Sequence, residues 1–190
     1  MTSDAMAAQL GEFLTALHDV PLAEAERAGV TSDVETTLAS RFEELVALQP
    51  QIDPRLPEAL RRDVDEWFAR GIITPEFAGP LVLVHNDLLA EHVLVDSRER
   101  RVSGIIDWGD VGTGDPAFDF ASLFCWAGGE FVAAVLRHYR RPHHRIELTL
   151  RAAFIATCLA LGNLAAAGDA GRYSLRRALH HVRTVFGARR

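Results

Sequence analysis

The chain has 190 residues, 48% of them hydrophobic and 24% charged, the balance of an ordinary globular domain with a single core. Its formal net charge of -6 at pH 7 is the reverse of the basic surface that nucleic-acid binders present, so no nucleic-acid partner is expected. All 20 basic residues are arginine, and the absence of lysine excludes Schiff-base chemistry, a P-loop lysine and a lysine general base.

Two cysteines, Cys125 and Cys158, lie in apolar, helix-like surroundings. They read as buried thiols of a reducing cytoplasm, not as a disulfide framework or a metal site. The N-terminal segment lacks the basic region and apolar core of a signal peptide. No run of about 18 apolar residues marks a spanning helix, so no membrane partner is expected.

Leu10, Leu14 and Leu17 share a helical face with Phe13, which predicts an amphipathic helix over about residues 4–18, stopped by Pro21. Leu38, Phe42 and Leu45 repeat the spacing behind a cap at Ser32 or Asp33. Pro54 and Pro57 punctuate the chain, and Leu60, Val64, Trp67 and Phe68 predict a third helix ending near Gly71. The texture then changes to three short apolar runs, Leu81 to Val84, His92 to Asp96 and Val102 to Asp107, the last two separated by a charged turn. Gly109, Gly112, Gly114 and Pro116 predict a loop, after which Asp115 or Pro116 opens a helix through Phe118, Phe120 and Leu123. Leu148, Ile155 and Leu159 mark another helix, and Leu175, Leu179, Val182 and Phe186 the last, with Gly168 to Gly171 as the turn between them. The expected fold is one mainly α domain carrying a small β-hairpin.

The polar segment His85 to His92 stands between two apolar strands, where a loop is held rigid. Asp87 is the candidate base for a substrate hydroxyl. His92, five residues on, is spaced to take a metal ion or its water. Asp107 closes the third apolar run before Trp108-Gly109, a position suited to a divalent cation that bridges phosphate oxygens. Each residue also has a plainer reading. An aspartate in a turn caps backbone N–H groups, and a histidine such as His85 packs with its ring bonded to carbonyls. The residues alone leave both readings open.

The patterns H-N-D-L-x-x-x-H-V-L-V-D, I-I-D-W-G-D and G-D-P-x-x-D-F-A occur in this order between Leu81 and Leu123. Together they resemble the catalytic core of the aminoglycoside phosphotransferases, small-molecule kinases of protein-kinase-like fold that act in antibiotic resistance. The resemblance implies the C-terminal lobe of that fold and transfer of the terminal phosphoryl of ATP or GTP to a hydroxyl with Mg²⁺. By position, Asp87 matches the catalytic aspartate, Asp107 the main metal ligand, and His85 and Asp119 structural residues of the site. His92 stands where the family usually has a metal-binding asparagine, which admits Mn²⁺ as an alternative ion. Asp110, Asp115 and Glu130, with Glu147, are the candidates for an acidic cleft that takes a hydroxylated, cationic acceptor.

Only 86 residues precede Asp87, they read as helices, and no lysine exists among them. The family's glycine-rich, nucleotide-binding N-lobe is therefore expected to be missing. Weak nucleotide binding, slow turnover and an apolar face open to self-association would follow. Two other readings compete: a non-catalytic, pseudokinase-like module that captures a ligand, and a metal-dependent hydrolase built on Asp87, His92 and Asp107.

Overall fold

A computed structural model describes residues 3–30, 37–99, 101–168 and 174–187 of the chain. The elements in order are α1 (Ser3–His18), α2 (Leu22–Arg27), α3 (Leu38–Ile52), α4 (Glu58–Arg70), β1 (Val82–Val84), β2 (Val93–Asp96), β3 (Arg101–Ile105), β4 (Gly112–Gly114), α5 (Ala117–Leu136), α6 (Arg145–Ala166) and α7 (Leu175–Gly187). Single 3-10 turns lie at Asp53–Arg55, Ala90–His92 and Trp108–Asp110.

The helices follow the apolar spacing. Leu10, Leu14 and Leu17 of α1 are buried, as are Leu38 and Leu45 of α3, Val64 and Trp67 of α4, and Val182 and Phe186 of α7. Pro21 does more than stop α1: it opens the short α2. The cap positions Ser32 and Asp33 lie outside the described residues. Thr37 caps α3 instead, its hydroxyl accepting from Ser40 N–H at 3.1 Å. Part of the turn at Gly168 to Gly171 also falls outside them.

The core is built on α5 and α6. Phe120, Leu123, Ile155, Leu161 and Leu164 are fully buried there, each stabilising the fold by roughly 1.5–3 kcal/mol. Both helices are long and apolar enough to cross a membrane, which corrects the expectation drawn from uninterrupted apolar runs. Charged residues such as Asp119 and Arg151 interrupt the runs, and most of each helix is buried inside the protein. Cys125 and Cys158 are free thiols in this core, and burial pushes both up to about 12.

The β structure is more than one hairpin. β2 and β3 form the expected hairpin, Val93 opposite Ile105 and Asp96 opposite Arg101. The segment read as a loop contains β4, which pairs antiparallel with β1 across nearly thirty residues of chain, Val82 opposite Gly114 and Val84 opposite Gly112. A strand of Gly-Thr-Gly has no apolar side chains to announce it. Its backbone is buried all the same, so the ladder bonds to β1 satisfy groups that water does not reach. The two small sheets place the ends of β1 and β3 beside each other, and the candidate site lies there.

Candidate active site

β1 ends at Val84 and the chain turns at Asn86, whose φ of 66° is a left-handed conformation that asparagine adopts more readily than most residues. Asp119, fully buried in the first turn of α5, holds that turn. Its Oδ2 accepts from His85 N–H at 3.1 Å and its Oδ1 from Asn86 N–H at 2.8 Å. His18, at the end of α1, donates Nε2–H to the same Oδ2 at 3.0 Å and receives the Tyr139 hydroxyl on Nδ1 at 2.8 Å. A buried carboxylate persists only when its oxygens are bonded, and three N–H donors meet this one. Burial pushes the Tyr139 phenol well above its ordinary value, which keeps it a protonated donor.

His85 is also fully buried. Its Nδ1 accepts from Asp87 N–H at 3.3 Å, so Nε2 carries the proton and donates to the Ile106 carbonyl at 3.1 Å. The ring centroid lies 4.6 Å from that of Trp108. His85 thus ties the turn that bears Asp87 to the segment that delivers Asp107.

Asp87, His92 and Asp107 each offer one ligand atom, all within 4.8 Å of one another. The side chains of Asp87 and His92 are 16% and 12% exposed, while Asp107, at 53%, forms the open side. His92 rides on the 3-10 turn Ala90–His92. Its Nδ1 lies 2.7 Å from the Asp87 carbonyl oxygen, which can only accept, so Nδ1 bears the proton. The Nε2 lone pair then faces Asp107 Oδ2 at 3.2 Å. Two acceptors so close need a cation between them, and either a proton or a metal ion supplies it. Two carboxylates and an imidazole around one open point suit a divalent ion. The oxygens favour Mg²⁺ and the nitrogen shifts the preference towards Mn²⁺. Asp107 itself sits at φ 64°, a backbone conformation that costs a non-glycine residue of order 1–3 kcal/mol.

The acidic residues read as acceptor ligands behave differently. Asp115 is a correction. It is buried, its Oδ2 lies 2.6 Å from Arg151 Nε, and its Oδ1 receives Arg151 Nη2 at 3.3 Å and Ala117 N–H at 2.9 Å. It locks α5 to α6 and keeps no oxygen for a ligand. Asp110 is exposed on the turn after Asp107, and Glu130 is exposed just past a bend at Gly128 (φ 80°) that interrupts α5. Neither belongs to the three-residue cluster. Glu147 stands in the first turn of α6 beside its cap, His144. Reading the sequence missed His18, Tyr139 and Trp126. The Trp126 Nε1–H donates at 3.2 Å to the carbonyl of Leu88, the residue after Asp87. These partners are about 40 to 120 positions away in the chain, and no spacing rule connects them.

Residues 2–150, which include the whole cluster and Asp119, match the model of the Phosphotransferase enzyme family. The chain belongs to this family. Viomycin phosphotransferase of Streptomyces vinaceus is 43% identical to this phosphotransferase-family chain over 56 residues, 28% of this chain and 20% of that protein. The uncharacterized protein YcbJ of Bacillus subtilis (strain 168) is 26% identical over 148 residues, 76% of this chain and 45% of that protein. Among solved structures, the GDP complex of wild-type aminoglycoside 2'-phosphotransferase-IIIa superposes with a TM-score of 0.69 at 25% identity, over 97% of this chain and 62% of that one. Macrolide 2'-phosphotransferase type I does so with a TM-score of 0.57 at 28% identity, over 85% of this chain and 53% of that one. The chain therefore spans less than two thirds of each of these proteins. Its fold is that of the helical, C-lobe-like part of the kinase-like phosphotransferases.

Proposed function

We propose that this chain forms the catalytic lobe of a small-molecule kinase, which transfers the terminal phosphoryl of ATP or GTP to a hydroxyl of an aminoglycoside-like or related compound. The convergence of Asp87, His92 and Asp107 carries the reading. Asp87 takes the proton of the acceptor hydroxyl as its oxygen attacks phosphorus. The new O–P bond forms while the bond to the leaving nucleoside diphosphate breaks, and the proton ends on Asp87. The braces from His85 and Asp119 keep the Asp87 turn still, so the base is in place before the acceptor arrives. Asp107 and His92 would hold a divalent cation, which supplies neutralisation of charge on the phosphate oxygens. Leu94, two residues past His92, and Ile106, just before Asp107, are exposed apolar side chains that suit the flat face of a nucleotide base.

Similarity to a GDP complex and to a GDP and kanamycin complex supports a nucleotide donor and an aminoglycoside acceptor. The viomycin phosphotransferase match supports a hydroxylated antibiotic of the same broad kind. The test is mass spectrometry of kanamycin and viomycin incubated with the chain, ATP or GTP, and Mg²⁺ or Mn²⁺. Slow, metal-dependent phosphorylation of an acceptor that disappears in Asp87→Asn is the expected result. Nucleotide hydrolysis with no phosphorylated acceptor would favour the hydrolase reading and remove the proposal.

A further inference from the structure

We propose that Arg177 of α7 is a positioning residue for this site: through its ion pair with Glu91 it holds the 3-10 turn Ala90–His92, and with that turn the imidazole of His92. The inference rests on reading Asp87, His92 and Asp107 as a cation centre. Glu91 immediately precedes His92, and Arg177 Nη2 meets its Oε1. Arg177 does not touch the reacting atoms; its effect passes through the turn.

Much of the turn's bonding is internal. Leu89 N–H donates to the Asp87 carbonyl at 2.9 Å, His92 N–H to the Leu89 carbonyl at 3.0 Å, and His92 Nδ1 to the Asp87 carbonyl. Among the described residues, anchors reach it from other elements besides the contact of His92 with Asp107. Ile106 N–H donates to the His92 carbonyl at 3.0 Å, Trp126 of α5 holds the Leu88 carbonyl, and Arg177 of α7 holds Glu91. A single 3-10 turn has poor hydrogen-bond geometry of its own, so anchors from outside decide where its side chains stand. The helix that carries Arg177 is a firm base. Val182, Val185 and Phe186 are buried, and Thr184 lies 3.6 Å from where a Cβ on Gly128 of α5 would stand. The paired side chains of Arg177 and Glu91 are 32% and 41% exposed, so their effect has the size of a partly solvated ion pair, a few-fold in an equilibrium constant.

The test follows hydrogen exchange at the amides of residues 88–92 and Mn²⁺ affinity by electron paramagnetic resonance. It compares wild type, Arg177→Ala, Glu91→Ala, Arg177→Lys and the exchanged pair E91R/R177E. Each alanine substitution should speed exchange and weaken Mn²⁺ binding roughly two- to fivefold. Arg177→Lys and the exchanged pair should recover most of the loss, which a merely structural role for the arginine would not produce. Unchanged exchange in a folded Arg177→Ala chain overturns the proposal, as does an exchanged pair no better than the single variants. Should Arg177→Ala fail to fold, Arg177→Gln provides the same comparison. Asp107→Asn separates the two ideas. If it leaves Mn²⁺ affinity unchanged, the cation centre is wrong, and the exchange data alone decide whether Arg177 anchors the turn.

Discussion

Asp119 holds the turn that bears Asp87 without belonging to the three-residue cluster. Its carboxylate joins α1, α5 and the His85–Asn86 backbone, so Asp119→Ala strands the buried His85 N–H, the half-buried Asn86 N–H and the His18 imidazole. We expect a loss of roughly 3–5 kcal/mol in urea unfolding, because the partners left behind stay buried and unpaired. A loss below about 1 kcal/mol would contradict the brace. His181 makes a second case. Burial first, with Arg177 and His180 adding to it, lowers its imidazole from 6.5 to about 4, and its Nδ1 is buried without a hydrogen-bond partner among the described residues. The unfolded chain takes up this proton near 6.5 and the folded chain only near 4, so the fold loses stability as pH falls from 6.5 through about 4. The His181→Leu variant should lose less over that window in urea midpoints measured against pH. Parallel profiles for the two proteins would remove His181 as a source of acid sensitivity.

At the scale of the element, close packing between α1 and α5 carries the argument. A Cβ on Gly11 would lie 2.6 Å from the Val135 carbonyl and 2.7 Å from His138 Cβ, and backbone cannot swing aside as a flexible side chain can. Gly11→Ala should therefore push α1 outwards, costing roughly 1–3 kcal/mol in thermal or urea unfolding. It should also loosen the His18–Asp119 contact that α1 delivers. A stability within about 0.5 kcal/mol of wild type would show that the helices have room to adjust. The long helices were legible in the sequence because Leu10, Leu14, Leu17 and their counterparts repeat at helical spacing on buried faces. The pairing of β4 with β1 was not, since Gly112 and Gly114 carry no side chain and their partners lie far back in the chain. Asp87, His92 and Asp107 were legible because short motifs flank them. Asp115 was misread because its charge is visible in sequence, while the burial and Arg151 pairing that take it out of any acceptor cleft exist only after α5 and α6 pack.

For the whole molecule, a helical body supports one small polar site at the meeting of two minimal sheets. Buried His18, Asp119 and Tyr139 and half-buried Trp126, from distant segments, converge on the turn that holds Asp87, while the open side of the cluster belongs to Asp107. This division of labour lets the interior fix geometry and leaves the Asp107 carboxylate at the open side, where the proposed cation would bind. The central claim is that Asp87, His92 and Asp107 make one cation centre. The measurement that meets it most directly is a Mn²⁺ titration of wild type, His92→Ala and Asp107→Asn by electron paramagnetic resonance. A single bound ion per chain is expected, weakened at least tenfold in His92→Ala and absent in Asp107→Asn, of the order seen when a ligand is removed. Equal stoichiometry and affinity in all three proteins would contradict it.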